Sequence, residues 1–328
     1  MSLVSAIIKK ASPKGEVGIE IEAEGKNLKI IDSDFWSTEK DGSLRGNFPE
    51  AAAEYVLRNP ISRGSVEAAL DELIEYQKNA TFSFSFRTSV HIHINVGGLT
   101  EEQLRCFTYA YALLEEPLIN FCGKARKANR FCLRIQDAER ELLYLQNFYE
   151  RGIEFLKNVG GDEIRYSAMN LAALYKYGSL EFRAMRGTLD KGVIKNWISA
   201  LLAVKDWSIK RETPKQIFDH FQTVGPNAFL TEVLGELSPQ FTYPKMEQDM
   251  LRSCSLSISL PHVPLKKRVN PSIKKDTVSS WDKDDLLEAE RIAVPMEINL
   301  NVGRQELIRN LNLKQMRALA AAPGGIVG

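Results

Sequence analysis

Ser89-Val90-His91-Ile92-His93-Ile94-Asn95 alternates strictly between polar and apolar side chains. Successive strand residues point to opposite faces, so Val90, Ile92 and Ile94 share one face and Ser89, His91, His93 and Asn95 the other. The same apolar parity runs back through Phe82, Phe84 and Phe86. That is long for one strand, so a bend or hairpin is expected near Arg87–Ser89. A second alternating stretch sets Val17, Ile19, Ile21 and Ala23 against Gly18, Glu20, Glu22 and Glu24. A third sets Leu180, Phe182 and Ala184 against Glu181 and Arg183, with a partner strand expected at Ile164–Leu171 and a turn at Tyr175–Gly178.

Helical patterns separate these strands. Val66, Ala69, Leu70, Leu73 and Ile74 recur at helical spacing. Thr100-Glu101-Glu102-Gln103 reads as a capping box ahead of Leu104, Phe107, Tyr111 and Leu114. A helix is expected over Asp137–Val159, ended by Gly160-Gly161, and another after Asp190 with a stripe through Ile194, Trp197, Ile198 and Leu201. The order predicts an α+β fold, an antiparallel sheet with helices on one face.

Composition bounds the function. The 328 residues carry 43 Lys+Arg against 42 Asp+Glu, a formal net charge of +1, with 44% hydrophobic residues. That balance suits a globular core and argues against a general nucleic-acid binder. No apolar run approaches the ~20 residues of a membrane span, and Leu3–Ile8 is too short for a signal segment, so a cytoplasmic protein without membrane partners is expected. Cys106, Cys122, Cys132 and Cys254 lack metal-site spacing and are expected to be buried thiols. A boundary is placed near 211: residues 1–211 read as the α/β unit, and 212–328 as a proline-rich accessory region with a poorly ordered tail from Ala320.

The chemistry lies on the polar parity of the strands. If the three strands are neighbours, Glu20, Glu22, His91, His93, Glu181 and Arg183 meet on the open face of the sheet. Singly these patterns are ordinary: Glu-x-Glu suits a solvated face, and Glu-Phe-Arg a cross-strand ion pair. His-x-His weighs more, because it uses two of only 4 histidines. Together they place carboxylates, which favour hard ions such as Mg²⁺ or Mn²⁺, beside a guanidinium suited to phosphate or carboxylate. Metal-dependent phosphoryl transfer needs such a set. Neither G-x-x-x-x-G-K-[ST] nor G-x-G-x-x-G occurs, so folds built on those loops are unsupported.

Gly18-Ile19-Glu20-Ile21-Glu22, Asp41-Gly42-Ser43, Glu54 with Pro60, and Ser89–Ile94 form an ordered series. Asn129-Arg130-Phe131-Cys132, Arg165-Tyr166 with Asn170, Ser179–Arg183 and Gly187–Asp190 continue it. Over about residues 15–205 the series resembles the amidoligase family, carboxylate–amine ligases often found in phage and bacterial genomes and related to glutamine synthetase and glutamate–cysteine ligase.

The resemblance implies a curved antiparallel sheet of the glutamine synthetase-like type, holding ATP and Mg²⁺ or Mn²⁺ in its hollow. It implies that Glu20, His91 and Glu181 hold the ion nearest the ATP phosphates, and Glu22 and Glu54 the second. His93 and Asn95 would line the nucleotide, Arg183 would take the substrate carboxylate or the transferred phosphoryl group, and Asp41 and Ser43 would hold the substrate. Ser179 stands where glutamine synthetase has an arginine, which leaves phosphate neutralisation to Arg130 or Arg165. The implied reaction makes an acyl phosphate from a carboxylate and ATP, which an amine then converts to an amide. The acid and the amine could be small metabolites or groups on a peptide or protein, and an oligomer is compatible. Two alternatives stay open: a metal-dependent hydrolase using the His-x-His strand, for which the only remaining histidines, His220 and His262, lie outside the motif set, and a non-catalytic, phage-associated binding protein on the same fold.

Overall fold

Seven strands form one sheet in the order β2-β3-β1-β5-β7-β6, with β4 pairing separately with β1. They are β1 (Val17–Lys26), β2 (Trp36–Glu39), β3 (Ala52–Leu57), β4 (Thr81–Phe82), β5 (Ser89–Asn95), β6 (Met169–Asn170) and β7 (Ser179–Arg186). Every pairing between these strands is antiparallel, and the curved sheet does not close. The computed structural model describes residues 2–127, 129–158, 166–257 and 260. The tail expected from Ala320, with Gly160, Gly161 and Ile164, lies outside them.

The apolar parity read from the sequence faces the core. Val17, Ile19, Ile21, Val90, Ile92 and Ile94 are each no more than 1% exposed. At about 1.5–3 kcal/mol for each large apolar side chain removed from water, this face fixes the register, since a one-residue slip would expose all of it. The cover is helical: α1 (Val4–Ile8), α2 (Val66–Tyr76), α3 (Glu101–Cys122), α4 (Glu139–Arg151) and α6 (Lys191–Ser208), while the short α5 (Ala173–Tyr177) packs beside β7 and borders the open face. Helix α3 packs on β7, where Phe107 and Tyr111 meet Phe182 at 5.9 and 5.1 Å between ring centroids. Its capping box is formed: Thr100 Oγ1 accepts from Gln103 N–H at 3.2 Å, and Gln103 Oε1 accepts from Thr100 N–H at 2.9 Å.

The remaining helices, α7 (Pro214–Val224), α8 (Pro226–Leu234), α9 (Ser238–Phe241) and α10 (Met246–Ser257), follow the expected boundary near 211 and pack mainly on α3 and α6. All four cysteines are free and buried. No helix among the described residues is long and apolar enough to cross a membrane.

Three expectations need correction. Phe84 and Phe86 do not continue the buried parity: the strand stops at Phe82, a turn occupies Phe86–Arg87, and these rings are 41% and 51% exposed. The helix expected over 137–159 is two pieces, because Gly152 adopts φ +88 between α4 and a 3-10 helix at Ile153–Asn158. Among the described residues the strand expected ahead of β7 is Met169–Asn170, and α5 takes the place of the turn at Tyr175–Gly178.

Candidate active site

Register assembles the polar face. On β1, Glu20 stands opposite His91 of β5, and Glu22 opposite Glu54 of β3. On β5, His93 stands between Gly18 and Glu181, and Asn170 of β6 is opposite Glu181. Gly18 has a steric reason: a Cβ there would lie 3.2 Å from the Cβ of His93. Val90 pairs with Met185 but Ile92 with Phe182, so β7 carries one extra residue beside His91. Such a bulge re-aims side chains, here Arg183 on the open face.

His91 is the hub. Its Nδ1 lies 3.2 Å from Glu20 Oε2 and 3.5 Å from Glu181 Oε1. On the other side Nε2 is 2.8 Å from Ser89 Oγ and 3.9 Å from Glu22 Oε2. Ser89 has one hydroxyl proton and donates it to Glu22, so its oxygen accepts from His91 Nε2–H. Nδ1 in turn shares a proton with Glu20; an ion beside Glu20 and Glu181 would take that proton's place, and the Nε2–H bond to Ser89 would then fix the tautomer. The potential ligand atoms of Glu20, His91 and Glu181 lie within 4.8 Å of one another, as do those of Glu22, Glu54 and His91. A neutral imidazole has a single lone pair, so an ion on the Glu22–Glu54 side would rest on carboxylates.

The electrostatics also fit cations. Burial, followed by the charges of Glu20, Glu22, Asp41 and Glu39, pushes the Glu54 carboxyl up to about 8. Burial opposes ionisation of Glu20 as well, but the imidazoles of His91 and His93, each with a ring nitrogen 3.2 Å from its carboxylate, outweigh it and hold that carboxyl far below the usual range. Glu181 is likewise lowered, its burial offset by Arg183, His91 and His93. Such crowded, buried carboxylates with one imidazole suit a hard divalent ion better than zinc. Arg183 donates through Nη1 to Glu181, while its buried Nε has no hydrogen-bond partner, a donor available to an anionic group.

These groups line a cavity of about 820 Å³, large enough for a nucleotide and a second substrate. Glu20, Asp41, Glu54, His91, His93, Asn95, Glu181 and Arg183 all border it. Glu22 is 4% exposed and does not border it; its carboxylate accepts from Ser89 Oγ. Asn95 borders it with its amide committed: Nδ2 donates to the carbonyls of Pro13 and Gly15, both at 2.9 Å. Ser43 lies behind Asp41, whose carboxylate accepts from the Ser43 N–H. Arg130 is not brought to the cluster; it is exposed, with its guanidinium 4.9 Å from the Phe131 ring centroid. Arg165 lies outside the described residues.

Several site residues carried no assigned role in the sequence. Ser89 and Ser179 share the polar parity of His91 and Glu181, and that signal could have marked them. Ser179 Oγ lies 3.0 Å from His93 Nδ1. Asn170 Nδ2 donates to Glu181 Oε2 at 2.6 Å. On α5, Lys176 and Tyr177 line the cavity, and the Tyr177 ring meets His93 edge-on at 5.3 Å. No alternation marks α5, because its residues reach the hollow from outside the sheet.

A family model described as "Putative amidoligase enzyme" matches residues 60–205. This is the family that the motifs resemble, and the match supports an enzyme of the ligase class. The matched span holds His91, His93, Asn170, Glu181 and Arg183, whereas Glu20, Glu22 and Glu54 precede it. No curated protein matches the chain.

Proposed function

We propose that the protein is an ATP-dependent carboxylate–amine ligase that works on a glutamine synthetase-like sheet through an acyl phosphate. The observation that carries this reading is the pair of donor sets meeting at His91, one with Glu20 and Glu181 and one with Glu22 and Glu54. Glu20, His91 and Glu181 hold one divalent ion, Mg²⁺ or Mn²⁺, and Glu22 with Glu54 a second. Bound there, the ions offset the charge of the triphosphate and of the phosphoryl group in transfer. Arg183, already fixed on Glu181, receives the substrate carboxylate or the transferred phosphoryl group through its free donors. His93, clamped by Ser179, faces phosphate. Asp41 and Glu54 stand at the acceptor side, where a carboxylate is suited to take the amine proton.

A carboxylate resists attack by an amine because its leaving group would be oxide; transfer of the γ-phosphoryl of ATP gives a leaving group that the amine displaces as phosphate. The acyl phosphate must be kept from water, and α5 with Lys176 and Tyr177 borders the hollow where that protection is required. Among the described residues no further imidazole supports the hydrolase alternative: His220 pairs with Glu232 at 2.6 Å, away from the cavity, and His262 lies outside them. The proposed setting is the cytoplasm, with no nucleic acid or membrane partner.

The test is incubation of the purified protein with ATP, Mg²⁺ and a panel of acids and amines, following ADP and a condensation product one water lighter than its reactants. ADP release dependent on both acid and amine supports the ligase. Hydrolysis of the same compounds without ATP would favour the metal-dependent hydrolase instead.

A further inference from the structure

Beyond the Glu22 end of the hollow, three loops build an arginine–phenylalanine shelf. Ser89, whose hydroxyl bonds Glu22, lies two residues past Arg87. Arg87 Nη1 in turn donates to the carbonyl of Ser43 at 3.0 Å, two residues past the cavity-lining Asp41. Phe86 stacks on Phe131 at 6.5 Å and 23°, and Phe84 on Phe82 at 5.7 Å and 12°. Arg45 and Arg87 lie 5.9 and 5.3 Å from the Phe86 centroid; Arg87 and Arg130 lie 5.8 and 4.9 Å from that of Phe131.

The backbone beneath is held firmly. Buried Arg126 donates to the carbonyls of Phe86, Arg183 and Ala184, and Asn129 Nδ2 donates to Phe86 at 2.8 Å. Yet Phe84 and Phe86 are 41% and 51% exposed. Among the described residues, the guanidiniums of Arg45, Arg87 and Arg130 have no carboxylate partner, although the Arg45 backbone N–H donates to Glu24 at 2.8 Å, and Arg87 Nε is buried without any hydrogen bond. Guanidiniums stacked on rings are pre-oriented for bidentate contact with carboxylates, and three unpaired ones beside exposed rings form a surface that awaits an anionic, partly apolar partner.

We infer that this shelf docks an acidic polypeptide, whose reacting side chain or terminus then enters the hollow past Asp41. The inference rests on the ligase reading for the last step only. A single small acid confined to the hollow would not reach guanidiniums carried on three separate loops. A nucleic acid fits less well, because guanidiniums already lie against the rings on which its bases would stack, and the chain as a whole carries a net charge of only +1. A polypeptide also supplies the carboxylate or amine that the site consumes.

The test is fluorescence anisotropy with a labelled peptide of alternating Glu and Tyr, run on the full chain, on Arg45→Glu/Arg130→Glu and on the matching double Lys variant. The shelf predicts salt-sensitive binding by wild type, at least ~10-fold weaker binding by the Glu variant, and partial retention by the Lys variant. An unlabelled Lys–Tyr peptide should not compete with wild type. Equal affinity of wild type and the Glu variant, or competition by free glutamate or an oligothymidylate at lower concentration than by the unlabelled Glu–Tyr peptide, would overturn it. Peptide binding without acid-dependent ADP release would count against the ligase and spare the shelf. ADP release without peptide binding would do the reverse.

Discussion

Glu22 and Glu54 stand directly opposite each other on neighbouring antiparallel strands, with no basic side chain between them in the register. Like charges so placed destabilise a sheet, and here burial adds to the cost. Glu54→Gln should therefore leave the ion-free protein as stable as wild type or up to ~1 kcal/mol more stable. The same change should weaken Mn²⁺ binding at least ~10-fold, because a carboxylate is lost from the set. Thermal unfolding and titration calorimetry, each with and without Mn²⁺, check the two halves.

Ser89→Ala tests the hub from behind. Without the hydroxyl, His91 Nε2–H and Glu22 each lose a buried partner, and the tautomer is no longer fixed. Groups that orient a ligand in this way typically contribute ~10–100-fold in metal affinity. The expected result is a drop of that size in Mn²⁺ affinity with an unchanged far-ultraviolet dichroism spectrum. Unaltered affinity would remove Ser89 from the site.

Gly18→Ala tests the spacing between β1 and β5. The new methyl would stand 3.2 Å from His93 Cβ, so His93 must shift by a few tenths of an ångström. Stability should fall by ~1 kcal/mol, in the range for mild overpacking. The KM for ATP should rise several-fold while kcat changes less, since His93 is assigned to ground-state phosphate contact.

The part of the site that could be read from sequence is the part carried by alternation. Glu20, Glu22, His91, His93, Glu181 and Arg183 share a parity with neighbours that must be buried, so their common face follows from Ile19, Ile92 and Phe182. The helix start at Thr100 was equally legible, because a capping box is a local pattern with its own hydrogen bonds. Alternation failed at Phe84 and Phe86, where the apolar parity persists but the backbone leaves the sheet: Thr88 and Ser85 bond each other to form the turn. Arg130 illustrates a different limit. A charged residue within a motif of loops carries no period, and nothing in the sequence says that its guanidinium stacks on Phe131 instead of entering the hollow. Gly152 divides the helical stretch after Asp137, and the chain pattern alone does not mark it as a glycine of positive φ.

A pH dependence follows on the helical side of the sheet. Burial raises the carboxyl of Glu141, on α4, from an ordinary 4.5 to about 8. The folded state thus prefers the neutral acid, so full stability holds below about pH 4.5 and is lost as pH rises through about 8. Glu141→Gln should flatten the profile and add at least ~2 kcal/mol at alkaline pH, with little effect in acid. Urea denaturation across that range checks both the sign and the size.

The most direct trial of the ligase account is capture of the acyl phosphate with hydroxylamine in the presence of ATP, Mg²⁺ and a panel of carboxylic acids. The account predicts a hydroxamate formed in equal amount to ADP, for at least one acid, and its disappearance in Arg183→Ala and Glu181→Gln. ATP left intact with every acid offered, or ADP formed at the same rate whether or not an acid is present, would contradict it.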